Sequence, residues 1–205
     1  LVVQRHTEEL ELRTTVDALT QMLNKDGATL RIDQEAARAR RSLKLFSILL
    51  VSIDHPPISG NGRDRGNGDA IMRFVGTALW EHVRFEDMVS RWGDWEFMLL
   101  LVGANSYQGL SVAERICASI AHRSHASGSE RYQCTVSIGV ASFDQAINVD
   151  HVVTLAEQAL THAKLHGGNQ AAMAQTRTDL PPVPAQLRVG VKLNPRTRSD
   201  PAGSI

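Results

Sequence analysis

His162 and His166 stand one helical turn apart, the spacing at which two imidazoles can grip zinc. Neither an H-E-x-x-H run nor a third ligand lies near them, so the pair does not by itself predict a metal centre. His122 and His125 sit at the edge of a polar segment and read as solvated. Serine-hydrolase chemistry lacks its G-x-S-x-G elbow. Cys117 and Cys134 have no C-x-x-C spacing and are expected as core thiols in a reduced, cytoplasmic compartment. The remaining polar groups that could act lie at the ends of apolar runs. These are Asp54 after one such run, Asp69 after a glycine-dense stretch, Asp94 at a Gly93-Asp94-Trp95 tip, and Lys164 before a double glycine.

The elements that must position these groups can be read from periodicity. Leu45–Ile53 is a short apolar run without alternation, as expected of a central strand covered on both faces. Ser59–Asp69 holds four glycines and follows Pro56-Pro57, so it is expected to lack regular structure. From Ala70, apolar residues recur at helical spacing up to Arg84. Met88–Trp92 and Glu96–Val102 read as a hairpin around Gly93-Asp94, followed by a helix over about 107–122 and a polar loop, Ser124–Glu130. Cys134–Ala141 reads as a strand, and Val149–Leu165 as an amphipathic helix stopped by Gly167-Gly168. Upstream, residues 1–22 are expected as an entering helix, with Leu12, Val16 and Leu19 at helical spacing. A second helix opens near Asp26 and ends at Arg38, Arg40 and Arg41, a solvated basic end.

With 205 residues, the chain fits one domain with appendages. The 22 basic residues balance 22 acidic ones, which gives no general pull toward nucleic acid or an acidic membrane. The longest apolar run, Leu43–Ile53, is interrupted by Lys44, Ser47 and Ser52 and is too short for a membrane span. Leu1 in place of Met, with no signal-peptide pattern, suggests an excerpt from a longer polypeptide. Residues 174–205 carry five of the seven prolines and read as a proline-rich tail or linker, with a short strand considered at Leu187–Leu193.

Five stretches now combine. They are Asp17-Ala18-Leu19-Thr20 with Leu23-Asn24, Gly68-Asp69 fifteen residues after Asp54, Arg91 through Phe97, Thr135 through Ala141, and Ala163-Lys164 before Gly167 and Asn169. In this order and spacing, residues 15–173 resemble the GGDEF domain of diguanylate cyclases. The resemblance implies an α/β sandwich of the nucleotide-cyclase and polymerase-palm type, with a mixed, mostly antiparallel central sheet flanked by helices.

It also implies a chemistry in which the 3′-hydroxyl of one GTP attacks the α-phosphate of another, with two divalent metals promoting the step. The family's two metal-binding carboxylates align with Ser52 and Trp95, neither of which offers Mg²⁺ an anionic oxygen. At the tip, Gly93 is retained but the second glycine is Asp94, which puts negative charge where phosphates would sit. The guanine-contacting Asn aligns with Gly60, beside Asn61, and the family's Phe-Lys pair with Pro56-Pro57. Asp69 and Lys164 survive as a residual nucleotide site, while an expected Arg is Gly168. The expectation is therefore a degenerate, catalytically inactive domain with no catalytic residues, metal or cofactor. The alternative is that Asp54 or Asp94 rebuilds a metal site.

A second family site is kept. Arg84-Phe85-Glu86-Asp87 lies nine residues ahead of Gly93, at the family's Arg-x-x-Asp inhibitory position, and Arg115 matches its secondary Arg. Guanidinium groups fork onto guanine or phosphate, and a carboxylate accepts from guanine N–H donors, so cyclic di-GMP is the implied ligand. Two other functions are weighed. One is a dimerisation or protein-docking adaptor using exposed Trp95, Pro56 and Pro57, with Trp92 partly buried; the other is GTP binding without turnover. An upstream sensor or a downstream domain of the same polypeptide is an implied partner.

Overall fold

The computed structural model describes residues 15–56, 62–127, 130–144 and 148–174. The elements run α1 (Lys25–Ser42), β1 (Phe46–Ile53), α2 (Gly62–Trp80), β2 (Met88–Arg91), β3 (Glu96–Val102), α3 (Ser106–Ala121), β4 (His125–Ser127), β5 (Glu130–Tyr132), β6 (Val136–Phe143), α4 (Val149–Leu165) and β7 (Ala171–Met173). Five strands form one sheet in the order β2-β3-β1-β6-β7, and β4 pairs with β5 in a separate hairpin. Every pairing in the large sheet is antiparallel except β6 with β7, which is parallel.

All eight residues of β1 are buried, because helices cover both faces of the sheet. Leu49, Val51 and Ile53 join Ile71, Val75 and Leu79 of α2 and Ile116 and Ile120 of α3 in one core. Ile48 and Leu50 point the other way, toward Ala28, Ile32 and Ala36 of α1 and Val152, Ala156 and Leu160 of α4. The period-two alternation of a strand thus feeds two separate cores from one apolar run. At Gly139 the α4 backbone lies on β6 so closely that a Cβ would stand 2.1 Å from the Ala156 carbonyl oxygen. Only glycine fits that crossing.

Four sequence expectations change. Residues 16–24 are a turn rather than the end of an entering helix, since the Asp17 carboxylate accepts from both the amide (2.8 Å) and the hydroxyl (2.7 Å) of Thr20. Such local bonds compete with helix formation. The glycine-dense stretch is helical from Gly62, and α2 stops at Trp80, short of Arg84. Here Gly68 serves close packing instead of a turn: a Cβ on it would meet the Trp95 indole at 2.7 Å, as one on Gly76, farther along α2, would meet Met22 at 2.6 Å. The polar segment after α3 contains the β4–β5 hairpin. Finally, β7 adds an edge strand held by Ile138 N–H donating to Gln170 O at 2.9 Å and Ala174 N–H to Val140 O at 2.8 Å. By contrast, α4 spans the residues its periodicity predicts. Residues 1–14, Pro57, Gly60, Asn61 and the tail beyond 174 lie outside the described residues.

Candidate functional site

Two clefts, at opposite ends of the strands, hold Asp54 and Lys164 in one and Arg84, Asp87 and Arg115 in the other. The first lies where β1 ends and α4 terminates. It has a volume of about 390 Å³ and is lined by Ile53, Asp54, His55, Pro56, Lys164, Gly167 and Gly168. Asp54 accepts from the hydroxyls of Thr135 (2.8 Å) and Ser137 (2.7 Å) and from the Asn169 amide (2.9 Å). The amide is delivered by a turn in which Gly167, Gly168 and Asn169 all take positive φ. Both carboxylate oxygens of Asp54 therefore tie the end of β1 to β6 and to the segment after α4.

Lys164 reaches Glu96 at 3.9 Å, and Glu96 lies beside Gly93, where a Cβ would stand 3.2 Å from its Oε2. Asp69, although retained, is exposed on α2 and does not line this cleft. Of the three residues expected to form a residual nucleotide site, Lys164 lines this cleft and reaches Glu96, whose carbonyl accepts from the Gly93 amide at 3.1 Å, while Asp69 does not line it. Sequence reasoning did not single out Glu96 or the Asp54 network. The only available signal was polar residues at matching ends of adjacent strands.

Ser52 is 4 % exposed and sits in the sheet between Glu96 and Ser137. Trp95, expected to be exposed, is half-buried instead: its ring lies over Gly68 and packs on the core beneath α2. An indole stacked on a helix glycine gains more than one left in water, which is why the side chain turns inward. Trp92 is partly buried against the other core, as expected, with the Lys25 ammonium 4.7 Å from its ring. Asp94 is exposed at the tip, and its backbone carbonyl accepts from Arg91. The Arg91 guanidinium also donates to Gly93 O (3.2 Å) and pairs with Asp17 (3.0 Å). Burial opposes ionisation of Asp17, but the Thr20 bonds and the Arg91 charge outweigh it and hold its carboxyl below the usual carboxylate range.

These residues do not fit a divalent-metal pair. One family position is a buried hydroxyl, the other a packed indole, and the neighbouring Asp54 already spends its oxygens on three donors. No group of three or more His, Cys, Asp or Glu suited to a metal occurs among the described residues. His162 and His166 stack at 4.0 Å between ring centroids, and the His166 Nδ1 lies 2.8 Å from the His162 carbonyl oxygen, an arrangement that serves the helix end. Burial, reinforced by the Asp54 charge, pushes the Cys117 thiol up to about 12 and the Cys134 thiol up to about 11; Cys117 is the buried core thiol expected, whereas Cys134 is half-buried at the edge of the core.

The second cleft, of about 700 Å³, opens between the turn after α2, the end of β3 and α3. It gathers Arg84, Asp87 and Arg115, all three residues of the Arg-x-x-Asp constellation. Asp87 closes its own turn: one carboxylate oxygen accepts from Arg84 N–H (2.8 Å) and the other from Val102 N–H (2.9 Å). Each oxygen retains a second acceptor position. Arg84 is exposed, and Phe85 beside it is fully exposed. Arg115 donates through Nε to His82 Nδ1 (3.2 Å) and through Nη2 to the His82 carbonyl (3.0 Å). His82 was not a candidate from sequence.

The family described as diguanylate cyclase, GGDEF domain, matches residues 14–170. Diguanylate cyclase DosC of Escherichia coli K12 is 30 % identical over 159 residues, covering 77 % of this chain and 35 % of DosC. Diguanylate cyclase DgcM of the same organism is 31 % identical over 171 residues, covering 83 % and 41 % respectively. The chain thus spans well under half the length of these relatives. Among solved structures, the coiled coil and GGDEF domain of DgcB from Caulobacter crescentus, in complex with c-di-GMP, superposes with TM-score 0.77 at 21 % identity, covering 84 % of this chain and 92 % of that one. Diguanylate cyclase SiaD from Pseudomonas aeruginosa, in complex with its activator SiaC, gives TM-score 0.73 at 24 % identity, covering 84 % and 69 %.

Proposed function

Because this chain belongs to the GGDEF domain family of cyclic di-GMP signalling proteins, we propose that it is a catalytically silent member that binds cyclic di-GMP and passes the signal to other parts of its polypeptide. The observation that carries this reading is the meeting of Arg84, Asp87 and Arg115 in one open cleft. A guanidinium there can fork onto a guanine edge or a phosphodiester, and the free acceptor positions of Asp87 can take guanine N–H donors. Silence is supported by the buried Ser52 and the packed Trp95, which stand at the positions of the family's metal-binding carboxylates and offer Mg²⁺ no anionic oxygen. Two unpaired cysteines suit a reducing cytoplasm. No helix among the described residues is long and apolar enough to cross a membrane.

The test is calorimetric titration of the domain with cyclic di-GMP, beside Arg84→Ala. The exposed Arg84 side chain has no hydrogen-bond or ion-pair partner among the described residues, so its removal should abolish the heat while moving Tm by no more than about 1–2 °C. Absence of heat from the unmutated domain would end the receptor reading.

A further inference from the structure

The second cleft contains a histidine that the motif does not account for. His82 sits in the turn after α2, lines the cleft, and makes two contacts with one arginine: its Nδ1 accepts from Arg115 Nε at 3.2 Å and its carbonyl from Arg115 Nη2 at 3.0 Å. Arginine Nε is always a donor, so the Nδ1 it approaches must be bare and the ring proton must reside on Nε2. That Nε2 is buried, with no partner among the described residues. A neutral ring in one tautomer is therefore what holds Arg115 in place.

We infer that His82 is the positioning residue of the cleft: its neutral ring fixes the Arg115 guanidinium with one nitrogen left for ligand, and protonating the ring releases it. The inference rests on the cyclic di-GMP reading of this cleft. Arg115 is an exposed, rotamer-rich side chain on α3, and holding it before the ligand arrives removes part of the ordering cost of binding. A proton on Nδ1 abolishes the acceptor and sets two cations against each other. The surroundings resist that proton. Burial comes first, followed by Arg115 and by Arg123 just beyond α3, while Glu81 opposes them; His82 titrates below its ordinary value. Arg123 is itself paired with Glu81 at 2.6 Å, and Arg84 and Asp87 are further charged groups lining the same cleft.

The experiment compares cyclic di-GMP titrations of the unmutated domain, His82→Leu and His82→Asn at about pH 7.5 and about pH 5.5. Asparagine puts an oxygen near the place of Nδ1 and does not titrate in this window. At the higher pH, His82→Leu should bind about tenfold more weakly and His82→Asn within about threefold of the unmutated domain. On acidification the unmutated domain should weaken measurably but by less than about tenfold, because His82 titrates below its ordinary value, and His82→Asn should hold its affinity. Equal affinity of His82→Leu, or a flat profile in the unmutated domain, overturns the inference while leaving the cleft reading intact. Should His82→Leu fail to fold, the contrast between the unmutated and His82→Asn profiles decides alone. No heat at either pH overturns the cleft reading instead. In that case ¹⁵N spectra of the free domain still judge the ring: an Nε2–H tautomer bears out the hold on Arg115, and an Nδ1–H tautomer refutes it.

Discussion

Replacing Asp54 by alanine separates a structural anchor from a displaced metal ligand. The substitution removes the acceptor for the Thr135 and Ser137 hydroxyls and the Asn169 amide. Ser137 is wholly buried, so its hydroxyl is left without a partner, at a cost of about 1.5 kcal/mol. Thr135 and Asn169 lie nearer solvent, and each loses about 1 kcal/mol as water replaces the carboxylate. The expected loss is about 3–4 kcal/mol, read by urea denaturation, or about 6–16 °C in Tm for a domain of this size. The control is Asp94→Ala, at the exposed tip, which should stay within about 0.5 kcal/mol of the unmutated domain. A second arm repeats the melts with Mn²⁺, which should shift neither protein. The reasoning fails if Asp54→Ala costs under about 1 kcal/mol, or if Mn²⁺ stabilises the unmutated domain and Asp54→Ala abolishes that gain.

Gly139→Ala should cost more than about 4 kcal/mol or prevent folding, because its Cβ would strike the backbone of α4 rather than a movable side chain; soluble yield and denaturation report it. Asp17 titrates lower when folded than unfolded, so its contribution is complete above about pH 4 and disappears as pH falls through the lowered native value. Asp17→Asn should accordingly flatten the acid limb of the stability profile, and an unchanged limb would contradict the Arg91–Asp17 account. With thiols raised to about 12 and about 11, Cys117 and the half-buried Cys134 should resist iodoacetamide at neutral pH in the folded domain and react on unfolding; rapid native labelling would refute the raised thiols.

Much of the architecture could be read because strong local patterns agreed with the final packing. Val149–Leu165 has an apolar face, a glycine stop and no competing signal, and it forms α4 over those residues. The hairpin tip and the doubly covered β1 were legible for the same reason. The start of α2 was not, since Gly66 and Gly68 argue locally against a helix, by about 1 kcal/mol each. At Gly68 the reason for glycine lies across space in the Trp95 ring. For Trp95, chain position implied the loss of a carboxylate but gave no sign that the indole would turn inward over that glycine. β7 was hidden because Ala171-Ala172-Met173 lacks β-branched residues and owes its strand to the β6 edge. Arg84, Asp87 and Arg115, which the motif groups, line one cleft, whereas His82 became visible only through its bond to Arg115.

The central claim is that this GGDEF domain receives cyclic di-GMP and does not make it. The direct measurement is mass-spectrometric quantification of cyclic di-GMP after incubating the purified domain with GTP and either Mg²⁺ or Mn²⁺, beside a competent diguanylate cyclase. The account predicts no product above the protein-free blank with either metal. Product that accumulates with time and with protein concentration would contradict it and return Ser52 and Trp95 to a working active site.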